Sequence, residues 1–268
     1  MQITSGTTNY SPYKWVLSVL IILVVTSGFV MLNHHATARP QEDGTLVLSI
    51  EDEISEVSYV IGVDNLANEA NGMIEYDQNS RAGIEEFREF NNRELVGILQ
   101  NMPAMGSIPA RITFSRPLSQ AEFTEFADRY DIGVKFYTIY MLEPDGKIAT
   151  IQGSPSDTEL VPDEYFNMTT TSISQEYNDG AEFIGWVEVD GTVPVNRISE
   201  MKADQRVYMI DVMQLFLESR LTDEALATAG VAKSVRQELL RAGFTDIYRA
   251  PVAWNLYHLG LMQRESSH

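Results

Sequence analysis

Thirty-eight carboxylates, four histidines and no cysteine set the chemistry open to this chain. Without thiols there is no cysteine nucleophile, no thiolate metal site and no disulfide. The histidines are His34, His35, His258 and His268. A Ser-His-Asp triad would have to use His258, and no Gly-x-Ser-x-Gly elbow accompanies it. Zinc takes three or four ligands, so His34-His35 is too small a set and reads as part of a solvated segment. Neither a P-loop nor a GxGxxG fingerprint occurs, and no nucleotide or dinucleotide cofactor is expected. Carboxylates acting in pairs can hydrolyse glycosidic bonds, but in a chain this acidic such pairs select nothing by themselves. Asp157, Glu159, Asp163 and Glu164, and Glu176 with Asp179, offer oxygen ligands of the kind calcium takes. Neither set matches the D-x-D-x-D-G loop, and both read as solvated surface. No catalytic, cofactor-binding or metal residue is assigned.

Aromatic side chains are the other group able to recognise something. Tyr137, Tyr140, Trp186 and Tyr208 fall on predicted strands, where a row of exposed rings could bind a peptide or a sugar. The same residue types also pack cores. Tyr137 and Trp186 on one sheet face, with Tyr165 and Phe166 in a long loop, are the candidate protein-contact residues.

The elements that must position them are clearest from residue 108 to 213. Ile112 and Phe114 alternate along a strand. Ser119 and Glu122 then have the spacing of a capping box, and Phe123, Phe126, Ala127 and Tyr130 form one stripe of the helix it starts. Residues 134–143 are a long strand, and Pro144-Asp145-Gly146 turns it into a hairpin partner at 147–152. Residues 153–180 are polar and read as a surface loop. Phe183 to Val189 is a further strand. Thr192 and Pro194 have the types expected at the start of a helix carrying Val195, Ile198 and Met201. Arg206 to Val212 closes the unit as a strand. This order predicts an α+β fold, a ferredoxin-like split βαβ sheet with helices packed on it.

The flanking parts are less sharp. Leu46, Leu48 and Ile50 alternate like a strand, while Ile50, Ile54, Val57 and Ile61 recur at helical spacing. A helix spans about residues 80–100, with Ile84, Phe87, Leu95, Ile98 and Leu99 inward, and stops before Pro103. Residues 45–107 are accordingly expected to be mostly helical. Residues 214–268 read as C-terminal helices, one started by Ser234 and Gln237 and stopped at Gly243. Their apolar stripe is too long to stay in water and must cover the sheet, the helix at 80–100, or a partner.

Ahead of all this lies Trp15 to Leu32, eighteen residues without an ionisable side chain. At about 1.5 Å per residue, a helix of that length covers most of a hydrocarbon core. Residues 1–14 then form a short cytoplasmic tail, 15–32 a single-pass anchor in membrane lipid, and 33–44 a polar tether to an extracytoplasmic part. Ala36-Thr37-Ala38 fits a signal-peptidase site, so release after Ala38 is the alternative. The apolar run exceeds the usual h-region, which favours the anchor.

The net charge of −19 argues against nucleic acid, whose phosphates need clustered Lys and Arg, and against lying on anionic headgroups. Hydrophobic content of 44% is that of a globular chain. One stretch, Ile198-Ser199-Glu200-Met201-Lys202-Ala203-Asp204-Gln205-Arg206-Val207-Tyr208-Met209-Ile210-Asp211, resembles the closing helix and strand of subtilisin propeptide and inhibitor domains. The resemblance covers these fourteen residues and implies a ferredoxin-like fold that binds a protease or another extracellular protein through its sheet. The expected function is a non-enzymatic, membrane-anchored extracytoplasmic module that binds another cell-envelope protein or serves as a subunit of a surface complex. The alternatives are an anchored carboxylate-dependent hydrolase of wall polysaccharide or peptide, and a pilin-like filament subunit. The acidic residue usual near the start of a pilin's apolar helix is missing from Trp15–Leu32.

Overall fold

The computed structural model describes residues 37–40, 45–51, 57–64, 69–101, 103, 106–162, 171, 181–228, 231–242, 244–248 and 252–262. In chain order the elements begin with β1 (Thr37–Pro40), β2 (Thr45–Glu51), β3 (Ser58–Asp64), β4 (Glu69–Glu75) and α1 (Arg81–Asn101). Next come β5 (Ser107–Leu118), α2 (Gln120–Arg129), β6 (Gly133–Leu142), β7 (Ile148–Gly153) and β8 (Glu182–Pro194). A 3-10 turn at Val195–Arg197 leads into α3 (Ile198–Ala203) and β9 (Val207–Asp211). The rest is α4 (Met213–Arg220), α5 (Asp223–Thr228), α6 (Lys233–Ala242), β10 (Phe244–Tyr248) and α7 (Val252–His258). The class is α+β, with two five-stranded sheets.

Local chemistry explains the central elements. At the start of α2 the Glu122 N–H donates to Ser119 Oγ at 3.3 Å, and the Ser119 N–H returns a bond to Glu122 Oε2 at 2.9 Å. This is the reciprocal capping box read from the sequence. The hairpin from β6 to β7 turns at Asp145, whose carboxylate accepts the Lys147 N–H at 3.1 Å, and Tyr137 to Leu142 pair with Gly153 to Ile148. α1 begins at Ser80, whose Oγ accepts the Gly83 N–H at 3.1 Å. A Cβ on Gly83 would stand 2.1 Å from the Asp77 carbonyl oxygen, so only glycine fits where the capping turn folds onto the helix.

The second sheet runs β7-β6-β8-β5-β9, antiparallel throughout. β8 lies between β5 and β6, so the two strand–helix–strand halves interleave. On one side α2 packs Phe123 and Phe126 against Phe114. The opposite side receives α7, with Tyr140 of β6 meeting Trp254 and Tyr257 at 6.4 and 6.3 Å between ring centroids. Much of the C-terminal apolar stripe is thereby buried inside the molecule, Leu221, Leu226, Leu239 and Leu256 among it, while Leu240 and Trp254 stay exposed.

The first sheet is an antiparallel meander β1-β2-β3-β4, to which β10 adds in parallel beside β4. Tyr59, Ile61 and Val63 are buried at every second position along β3, continuing from Val57 just before it, as a half-buried strand requires. Phe216 of α4 touches both Tyr59 of β3 and Phe90 of α1, at 4.9 and 5.2 Å. Gly72 of β4 leaves room for Leu217, which a Cβ there would meet at 2.5 Å. Residues 37–268 thus form one compact unit with a continuous core, and 45–107 are not a separate domain.

β9 is an edge strand, and its outer backbone groups need partners. Asn91 of α1, fully buried, supplies two of them at the C-terminal end of the strand. Its Nδ2 donates to the Ile210 carbonyl at 2.6 Å, and its Oδ1 accepts the Val212 N–H at 2.9 Å. One side chain thereby takes the place of a neighbouring strand.

Several expectations are corrected. Residues 45–107 hold three strands besides α1, because Val57 and Ile61, four apart, fit a period of two as well as a helix. The tether expected at 33–44 already contains β1. Thr192 starts no helix; it lies in β8, where it pairs with Pro109 and Gly133, and the strand ladder wins over the local capping signal. Ser234 lies inside α6, whose Arg236 N–H already bonds the Ala232 carbonyl. The C-terminal part is not only helical, since it supplies β10. Residues 15–32 lie outside the described residues. Among the described residues no helix is long and apolar enough to cross a membrane.

Candidate functional site

Strand register gathers the buried polar chemistry of the second sheet. Arg111 of β5 stands opposite Asp190 of β8 and Asp211 of β9, and Thr113 stands opposite Glu188. Cross-strand neighbours on one face are close enough to bond. Arg111 Nε donates to Asp190 Oδ1 at 2.8 Å, and Thr113 Oγ1 donates to Glu188 Oε1 at 3.1 Å. Glu188 Oε1 also accepts the Ala253 N–H of α7 at 3.2 Å, while Asp211 Oδ1 accepts the Met213 N–H of α4 at 2.8 Å.

Glu188 is 3% exposed and Thr113 is fully buried. Burial works against the charge of Arg111, but Asp190, Glu188 and Asp211 together outweigh it and raise its pKa, which keeps the guanidinium ionised. For Tyr140 burial and the nearby Glu188 charge act together, and both push the phenol up. Removing one member of such a group strands the others, at a cost of about 3–5 kcal/mol.

The arrangement is a socket. Glu188 receives an amide of the helix that covers it, and Asn255 Nδ2 on the same helix donates to the Tyr76 hydroxyl at 3.2 Å. A paired-carboxylate hydrolase needs its two acids to face bound substrate. Here Glu188 faces Thr113 and α7, and Asp211 faces the start of α4. Sequence reasoning passed over Glu188, Asp211 and Asn91. The available signal was a single acid inside an apolar strand run, as in Trp186-Val187-Glu188-Val189 and Met209-Ile210-Asp211-Val212.

The residues expected to contact a partner lie elsewhere. Tyr137 and Trp186 are 1% and 0% exposed. Phe123 of α2 stacks on Trp186 and meets Tyr137 edge-on, both at 5.6 Å. They are core residues because α2 covers the face they occupy. Tyr165 and Phe166 lie outside the described residues. Tyr208 is half-buried under Arg88, 5.0 Å above its ring, and its hydroxyl donates to Glu85 at 3.2 Å. His258 lies against Trp254 with ring centroids 4.3 Å apart and planes tilted by 58°. Asp157 and Glu159 are exposed, and Asp163, Glu164, Glu176 and Asp179 lie outside the described residues. Among the described residues no three His, Cys, Asp or Glu are grouped to hold a metal ion.

The outer side of α2 forms an open concavity lined by Gln120, Ala121, Thr124, Glu125, Asp128 and Arg129. Ion pairs from Arg129 to Glu200 at 3.1 Å and from Arg206 to Asp204 at 2.8 Å border it. Arg206 also bonds Glu125, and the Tyr130 hydroxyl donates to Asp204 at 2.9 Å. The Arg206 guanidinium holds the Asp204 carboxyl down at about 2. These contacts staple α2 to the turn between α3 and β9. Compared with protein-family models, curated proteins and solved structures, the chain matches none of them.

Proposed function

We propose that this protein is a single-pass, membrane-anchored extracytoplasmic module, non-enzymatic, that docks on another cell-envelope protein or takes part in a surface complex. The observation that carries the reading is the eighteen-residue uncharged run Trp15–Leu32 in a chain of net charge −19. No polar or charged surface favours such a run, whereas a bilayer accepts it as a helix. The pairing of Ala38 with Leu48 in β1 favours an uncleaved anchor, since a cut after Ala38 would divide that strand.

A ferredoxin-like reading of β5 to β9 is supported by the strand order β6-β8-β5-β9, by the two helical crossovers α2 and α3, and by the contact of Arg129 with Glu200 between them. On this reading β7 is an addition at the edge. The engagement of Glu188 and Asp211 by the protein's own donors supports a binding role ahead of the hydrolase.

The test uses the full chain in its native membranes. Alkaline carbonate should leave it in the membrane fraction, and a variant carrying Leu23→Arg and Val24→Arg should be released. Crosslinking followed by detergent extraction and mass spectrometry should recover one envelope protein in stoichiometric yield. Extraction of the unaltered chain by carbonate sinks the anchor. Recovery of no protein above an unrelated anchored control sinks the docking role.

A further inference from the structure

No further inference is drawn: the strongest candidate, the uncharged outer edge of β7 (Ile148–Gly153) at the margin of the second sheet, carries nothing because nothing in the structure shows what covers it.

Discussion

Replacing Asn91 with leucine keeps the branching and the number of side-chain heavy atoms and removes both bonds to the Ile210–Val212 segment. The Ile210 carbonyl and the Val212 N–H are then left buried without their partner. Each unsatisfied buried group costs about 1–3 kcal/mol, so the gross loss is about 2–6 kcal/mol. A buried leucine returns about 1–2 kcal/mol through the apolar surface it removes from water. The expected net loss is about 3 kcal/mol, with Asn91→Ala somewhat worse because it adds a cavity. The assay is urea unfolding of the full chain in mild detergent, followed by near-UV circular dichroism, to which the buried Trp186 contributes. With a urea slope of about 2–3 kcal/mol per molar, the midpoint should fall by about 1 M. The variant should also form larger species near the midpoint, because the edge of β9 becomes available for pairing. A midpoint shift below about 0.3 M with no change in association would refute the claim that Asn91 stands in for a strand.

Glu188→Ala should cost about 3–5 kcal/mol by stranding Thr113, the Ala253 amide and Arg111 together, while Glu188→Gln, which keeps an acceptor, should cost clearly less; equal losses would argue against the socket. The Arg116 guanidinium, with the Ser119 donors, holds the Glu122 carboxyl near 2. A depressed carboxylate adds stability above its unfolded pKa that is lost as pH falls toward 2. Because the pair is solvent-screened, the effect should be about 0.5–1 kcal/mol, and Glu122→Gln should flatten the difference in stability between pH 6 and pH 3. Phe123→Ala should destabilise by about 3–5 kcal/mol, since it empties the space between Trp186 and Tyr137; a surface role for those rings would leave stability within about 0.5 kcal/mol. Deleting residues 244–268 should make the detergent-solubilised chain aggregate, whereas an unchanged melting temperature and a monomeric elution would mean that β10 and α7 do not hold the core.

Signals that act within a few residues were legible. Ser119 and Glu122 satisfy each other across one turn, and the Asp-Gly hairpin needs only its own strands. α1 was readable from Ile84, Phe87 and Leu95. What failed depended on distant partners. β10 looks like a helix stop because its reason for being extended, β4, is far away in the chain. Tyr137 and Trp186 alternate as a half-exposed strand would, and nothing local states that α2 lies over them. Glu188 looks like a solvent-facing residue until the helix that donates to it is in place. The candidate site was thus the least legible part, being assembled from four strands and two helices whose register no short window contains.

The pairing of Phe244 with Ala70 also sets an order of events in time. Most of the folded unit separates these residues, so the meander must wait for the C-terminal part of the chain before its outer strand can be covered. At synthesis rates of about 5–20 residues per second, that wait is on the order of ten seconds. During it β4 presents unpaired amides, and chains emerging side by side can pair through them. A late arrival of β10 therefore gives such pairing time to compete with folding when the protein is made quickly.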